Sequence, residues 1–516
     1  MLRNRGRTLA LGLTLIAALA LFVCARMFPL PTLAERPIST CLPSTADTKH
    51  GRAVASLVAA NPGRSGIFIL GDGLDAFAAR LLLIEAAERT LDVQYYIWHR
   101  DLSGSLLFAA LHRAADRGVR VRLLLDDNNT VGLDSTLAAL DAHPNIEVRL
   151  FNPFALRRWR ALGYLTDFFR LNRRMHNKSL TADSQLTIVG GRNIGDEYFV
   201  AGDGVMFADL DALALGPVAQ DVSRDFDRYW ASDSAYPADR LLPPPTGSEH
   251  LRAARTASDR AAVAAYLQAV ARRPLVGDLI AGRLDLVWAP TLLISDDPAK
   301  ALGRATENSL IGARLQEALG TPREELTLVS PYFVPTRTGV DILGSLSRQG
   351  VKIRVLTNSL AATDVAIVHA GYAKRRAALL AAGVELAELK ADASVPSTRD
   401  RGLTGSSGSS LHAKTFSVDR TRVFIGSFNF DPRSARLNTE SGLVIDSPNL
   451  AGAISDTIAT DLPAHAYRVR LDDRGRLQWL EQVGDREIVH LTEPGAGFWR
   501  RAVVRFYSWL PIEWLL

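Results

Sequence analysis

Two stretches of the chain carry the residues able to do chemistry, and they share one pattern. Leu411 to Glu440 holds His412, Lys414 and Asp419 in the spacing H-x-K-x4-D, followed by Gly426, Ser427 and Asn429. The stretch MHNKSLTADSQLTIVGGRN holds His176, Lys178 and Asp183, then Gly190, Gly191 and Asn193. The step from His176 to Asn193 equals the step from His412 to Asn429. A pattern that recurs at this many positions in two places is a duplication rather than a coincidence.

His, x, Lys in extended chain places both side chains on one face. A turn at 182–185 or 418–422 then leads into LTIVG or RVFIG and closes a hairpin. The hairpin ends in small residues, where backbone N–H groups are exposed and a phosphate can approach. One copy supplies an imidazole, an ammonium and an amide. Two copies meeting face to face form a phosphodiester site. Lys178, Lys414, Asn193 and Asn429 neutralise phosphate oxygens, with Ser427 and Gly191 beside them; one His attacks phosphorus and the other protonates the leaving alcohol. Asp183 and Asp419 complete the motif, but at the hairpin turn they suit holding the turn better than touching phosphate. His112, His143 and His250 are scattered and no Cys–His spacing suits a metal. Two Lys already supply the positive charge, so neither a metal nor another cofactor is expected.

The elements that position these groups also come twice. LDAFAARLLLIEAAERT has helical periodicity, LDVQYYIW reads as a strand, SGSLLFAALHRAADRG as a helix and VRVRLLLDD as a buried strand. LTLVSPYFV, from Leu326, repeats LDVQYYIW, from Leu91; GVKIRVLTNS, from Gly350, repeats GVRVRLLLDD, from Gly118. The offset is nearly the same as that between the two His, which means a duplicated α/β domain. The expected layout is a first domain over 66–240, a linker and helical connector over 241–285 around Pro243-Pro244-Pro245, and a second domain over 286–516. With 516 residues, 47% hydrophobic and 22% charged, the chain has ample core for both. The formal net charge of +5 permits an anionic partner without requiring one, and two Cys exclude a disulfide framework.

Residues 1–26 read as a membrane signal: Arg3, Arg5 and Arg7 precede an uncharged apolar run from Thr8 to Ala25. An uncleaved anchor, a cleaved signal peptide and lipidation at Cys24 all place the rest beyond the inner face of the cytoplasmic membrane, in the periplasm of a Gram-negative cell. Residues 27–65, rich in Pro, Ser and Thr, read as a tether. RRWRALGYLTDFFRLNRR, with six Arg among Trp159, Phe168 and Phe169, reads as a headgroup-facing rim. The C-terminal GFWRRAVVRFYSWLPIEWLL reads as a second interface segment. GLTGSSGSS, just before His412, reads as a flexible connector or a lid.

The doubled motif resembles the phospholipase D superfamily. LDVQYYIW, GVRVRLLLDDNNT, RLFNPF, RLNRRMHNKS and VGGRNIGDEYF are similar, more closely, to the bacterial cardiolipin synthases of the C-type branch, over most of the chain from about Leu70. The resemblance implies two α/β/α sandwich domains with a shared active site at their interface. It implies that each His is oriented by a downstream carboxylate: Asp209 in the first half, with Asp211 as its rival, and Glu440 in the second. It implies His176 as the nucleophile, a phosphohistidine, phosphatidylglycerol as acceptor and phosphatidylethanolamine as a donor. A phospholipase D releasing phosphatidic acid would use the same residues, as would a superfamily nuclease; a non-catalytic membrane scaffold would not need both motifs intact. Nucleic acid is not an expected partner.

Overall fold

The computed structural model describes residues 29–42, 44–201, 207–245, 257–391, 410–460 and 462–516. The readings made for residues 1–26 and for GLTGSSGSS, all but its last Ser410, fall outside these. Among the described residues, no helix is long and apolar enough to cross a membrane.

Among the described residues, two mixed sheets of nine and ten strands carry the duplication. In the first, six neighbouring strands run Asp211–Leu215, Leu186–Gly190, Ser179–Ala182, Thr90–Tyr95, Arg120–Asp126, Ile146–Phe151. In the second, the same order is Ser441–Asp446, Arg422–Gly426, Thr415–Val418, Glu325–Val329, Lys352–Asn358, Glu385–Leu389. In each, the last three strands are parallel and the hairpin pairs antiparallel to them. Parallel strands of this kind are covered on both faces, which is why VRVRLLLDD turns continuously apolar. The hairpin turns place two successive residues at positive φ, Asp183 (51°) and Ser184 (53°), then Asp419 (50°) and Arg420 (52°). The registers Ala182↔Leu186 and Val418↔Arg422 leave three residues in each turn, the first two at positive φ, which Asp tolerates better than a branched residue.

The halves share a core. Ile67, Val189, Ala212, Ala214 and Ala289 of the first sheet pack with Val423, Ile425, Leu443 and Ile445 of the second. Met175 bridges to Thr439, and Ser410–Leu411 pairs in parallel with Phe207–Ala208.

Two expected connectors are built into the first domain instead. Residues 29–65 are no free tether: helix Lys49–Ala60 is capped by Thr48, Val54 is in the core, and His50 Nδ1 bonds to Asp183 at 2.9 Å. The connector helix Ala257–Ala271 buries Tyr266 and Val270 in the first core, and the Tyr266 hydroxyl donates to the Phe199 carbonyl at 3.1 Å. Their apolar residues find a face of the first domain to cover, a preference that Pro- and Ser-rich composition conceals. The boundary at 286 also shifts, because strand Val287–Ala289 joins the edge of the first sheet.

Candidate active site

Both motif histidines lie just before their hairpins, at the ends of the strands nearest the other half, and both are 6% exposed. The His176 N–H donates to the Thr439 carbonyl at 2.8 Å, and the His412 N–H donates to the Ala208 carbonyl at 2.8 Å. Each acceptor is the residue immediately before a carboxylate of the opposite half. Glu440 Oε2 therefore receives His176 Nδ1 at 2.8 Å, and Asp209 Oδ2 receives His412 Nδ1 at 2.6 Å. The sequence pairs each His with a downstream acid of its own half; the structure exchanges them. Asp211, the rival, is buried in ion pairs with Arg80 and Arg192. Fixing Nδ1–H on a carboxylate leaves Nε2 as the nitrogen with a lone pair.

The two carboxylates differ in their surroundings. Glu440 also accepts the Ser427 hydroxyl at 2.5 Å and the Ser434 hydroxyl at 2.8 Å, and its backbone N–H is held by Asp296 at 2.9 Å. Gly191 stands where the second copy has Ser427. A side chain there would collide with Asp209, whose Oδ1 would lie 2.1 Å from an added Cβ. Gly191 N–H is bonded to the Leu210 carbonyl at 3.2 Å. Ser427 thus supports Glu440, and Gly191 leaves the room that Asp209 occupies. Burial pushes the Glu440 carboxyl up to about 7, against the pull of Lys178 and the two hydroxyls. Burial also raises Asp209, but His412 and Lys414 outweigh it and hold Asp209 well below the usual carboxylate range.

Lys178 and Lys414 are each 1% exposed and donate to the carbonyls of His176 and His412. Lys414 Nζ is also 3.1 Å from His412 Nδ1, a contact between like charges when both are protonated. Burial lowers both lysines, Lys414 to about 8 and Lys178 well below its ordinary value. Burial and the lysines likewise lower both imidazoles, His176 the further. Asn193 is tied between the Ile97 N–H at 3.1 Å and the Tyr198 hydroxyl at 2.9 Å. Asn429 Oδ1 has no partner among the described residues.

Asp183 and Asp419 lie at the far ends of their hairpins. Asp183 accepts the N–H groups of Glu88, Arg89 and Thr90 at 3.2, 2.8 and 3.0 Å. Asp419 accepts those of Arg323, Glu324 and Glu325 at 3.0, 2.8 and 3.0 Å. Each anchors the start of a central strand to its hairpin turn, and neither bonds to the imidazole of His176 or His412.

Aromatic residues that the motif does not contain complete the site. Tyr96 stands edge-on to His176 with centroids 4.9 Å apart and faces Lys178; Tyr198 stands edge-on to His412 at 5.2 Å. The Tyr332 hydroxyl donates to Asp364 at 2.8 Å. Tyr96 and Tyr332 follow the central strands, at the carboxyl ends where open α/β sheets bind ligands, and that was the available signal. Among the described residues, His99, Asp101 and Glu197 are spaced to hold a cation. They pair with one another, and Asp101 is already the N-cap of helix Leu102–Asp116.

A buried pair of imidazoles, each backed by a carboxylate and flanked by an ammonium, is equipped for in-line transfer at phosphorus through a covalent intermediate. Comparison with known proteins agrees. Residues 81–230 and 315–462 match the family described as "Cardiolipin synthase, PLD-like domain". The chain is 55% identical to cardiolipin synthase C of Escherichia coli K12, over 90% of this chain and 99% of that protein. It is 27% identical to cardiolipin synthase A of Pseudomonas entomophila L48, over 83% and 74% of the respective chains. The fold is shared with phosphatidylserine synthase of Haemophilus influenzae Rd KW20, at a TM-score of 0.53 and 15% identity, over 82% of this chain and 92% of that one. The chain belongs to the cardiolipin synthase family of phospholipase D-like proteins.

Proposed function

We propose that this protein is a phosphatidyltransferase that makes cardiolipin, with phosphatidylglycerol as acceptor. The observation that carries the reading is the pair of His–carboxylate dyads, crossed between the halves, in a chain so similar to cardiolipin synthase C. His176 Nε2 attacks the phosphorus of the donor lipid. The P–O bond to the headgroup breaks, and His412 gives its proton to the departing alkoxide. His412 then takes the proton of the acceptor hydroxyl, whose oxygen attacks phosphohistidine; the P–N bond breaks and His176 is restored. His176, the more strongly lowered imidazole, is suited to start neutral; His412 is lowered less, because the ionised Asp209 offsets part of the effect of burial and Lys414.

Lipid as substrate is supported by the surface around the site. Trp159, Leu165 and Phe169 of the segment 157–171 are 61%, 62% and 71% exposed, and Trp499 and Trp509 of helix Phe498–Trp509 are each 74% exposed. Arg433 ties the two patches together: it donates to Asn172 beside the first and to the Leu515 carbonyl beyond the second. The basic rim is thinner than the sequence suggests, because Arg157, Arg160, Arg170 and Arg174 are engaged by Asp127, Asp134, Asp167 and Asp126. Those four hold the segment in place and leave the aromatics to meet the bilayer. In this reading the protein is attached to the inner membrane with its catalytic part in the periplasm, which an alkaline phosphatase fusion at Leu516 tests.

The deciding experiment supplies the purified protein with vesicles of labelled phosphatidylglycerol, with and without phosphatidylethanolamine. Cardiolipin is the expected main product. Phosphatidic acid as the main product in every mixture would make the protein a phospholipase D.

A further inference from the structure

Four carboxylates act on the charge of Lys414, and three are committed. Glu440 and Asp209 hold the imidazoles. Asp431 caps helix Pro432–Arg436 by accepting the Ser434 N–H at 2.6 Å. The fourth, Asp364, is half-buried and close enough to act on the charge of Lys414. Its carboxylate accepts the Tyr332 hydroxyl and, although the Arg500 charge acts on it, forms no ion pair among the described residues. The loop carrying it is held from outside the site: Arg500 Nη2 donates to the Thr363 carbonyl at 2.6 Å.

A carboxylate has the wrong sign for a phosphate pocket. It weakens the field of Lys414 on the phosphoryl oxygens, so its placement there costs affinity unless another part of the substrate compensates. The lone pairs that Tyr332 leaves unused can accept hydrogen bonds. The groups a phospholipid offers beyond its phosphate are the hydroxyls or the ammonium of its headgroup, both donors. Hydrogen bonds to a charged acceptor discriminate strongly, because an analogue lacking the donor leaves the acceptor desolvated and unmatched.

We infer that Asp364, steadied by Tyr332, is the residue that reads the headgroup, taking a hydrogen bond from a hydroxyl or ammonium two carbons or more beyond the phosphoester oxygen. This rests on the phosphatidyltransferase reading and adds a specificity residue to it. Asp364 sets which lipid is held rather than how fast phosphorus reacts. Tyr332 fixes one carboxylate oxygen and leaves the other for the substrate.

The test uses the full-length protein in mixed micelles and compares phosphatidylglycerol, phosphatidylethanolamine and phosphatidylpropanol, whose headgroup has no donor. Release of the headgroup is measured, so that transfer and hydrolysis both register. The native protein should favour the first two over phosphatidylpropanol by about tenfold or more in kcat/KM. Asp364→Asn should shrink that preference to within about threefold, mainly through KM for the two lipids that carry a donor. A greater loss for phosphatidylethanolamine would identify the ammonium as the group read; a greater loss for phosphatidylglycerol, the hydroxyls. Asp364→Glu should keep the preference in part, and Tyr332→Phe should keep it while raising KM. Equal loss on all three lipids, or an unchanged preference in Asp364→Asn, would overturn the assignment. Asp364→Asn is accepted only if its melting temperature matches the native protein's; otherwise Tyr332→Phe, where loss of the preference also counts against it, decides. A native protein that releases headgroups but makes only phosphatidic acid would sink the transferase reading and leave the Asp364 comparison standing.

Discussion

His176 Nδ1 lies 2.8 Å from Glu440, a residue 264 positions further along the chain, while the acid of its own half, Asp209, serves His412. Neither half therefore holds a working dyad. The exchange should be visible step by step. Glu440→Gln should slow formation of the phosphoenzyme, because it weakens the support for His176 as it becomes cationic. Asp209→Asn should let the phosphoenzyme form and then persist, because His412 no longer activates the acceptor. Each should cost about 10²- to 10⁴-fold in turnover. Rapid-quench detection of phosphohistidine checks this; the opposite assignment of effects would reverse the roles of the two histidines.

Replacing either His176 or His412 with Ala should lower turnover by at least about 10³-fold while melting stays within a few degrees of native. Near-normal activity in either variant would refute a shared site.

The motif aspartates should behave differently. Asp183→Ala should cost about 3 kcal/mol of stability, since three backbone N–H groups and His50 lose their acceptor, yet leave kcat of the folded protein near native. His50 and the three N–H groups outweigh the effect of burial and hold Asp183 below its ordinary 3.8. A lowered folded pKa means that this stability is present above about pH 4 and is lost as pH falls further. Denaturant midpoints measured from pH 7 to pH 3 should therefore converge for native protein and Asp183→Asn at the acid end.

Lys414, pushed down to about 8, should give kcat/KM an alkaline limb. The ammonium holds phosphate only while protonated, so the rate falls as pH rises through that value. Lys414→Arg should be slower but lose the limb. Activity should also survive EDTA, because two ammonium groups occupy the role a metal would take. A chelator effect reversed by one divalent ion would point to His99, Asp101 and Glu197.

The double variants Trp159→Ser with Phe169→Ser, and Trp499→Ser with Trp509→Ser, should each lower activity on vesicles about tenfold, with dispersed short-chain lipid turned over within about twofold of native. Equal loss on both substrates would place these residues in folding rather than in membrane contact.

The motif pairs made the chemistry legible because spacing on a strand is local information. His176, Lys178 and Asn193 need only the hairpin to be brought together, and LTIVG spells the hairpin out. The exchange of Asp209 and Glu440 was not legible, since it depends on how two sheets dock, and both halves look complete alone. Residues 29–65 look like solvent-exposed chain by composition, yet Thr45, Thr48 and His50 are used to hold the Asp183 turn. The arginines near His176 read as surface charge because their partners, Asp126, Asp127 and Asp134, lie well upstream, on other elements of the chain. Asp364 carries no motif at all; only its place beside Tyr332 singles it out.

Strand Val287–Ala289 pairs with Ser65–Ile67 in the first sheet, and strand Thr291–Ser295 pairs with Ser441–Ile445 in the second. Between them stands Pro290 alone, its carbonyl held by the Asp446 N–H at 2.9 Å. A proline pinned at both ends is no hinge. The two sheets are joined like welded plates, and the catalytic cycle cannot run by opening and shutting them. Lipids must slide in and out past side chains at the rim, and under mechanical load the protein should fail in one event, with both halves giving way together.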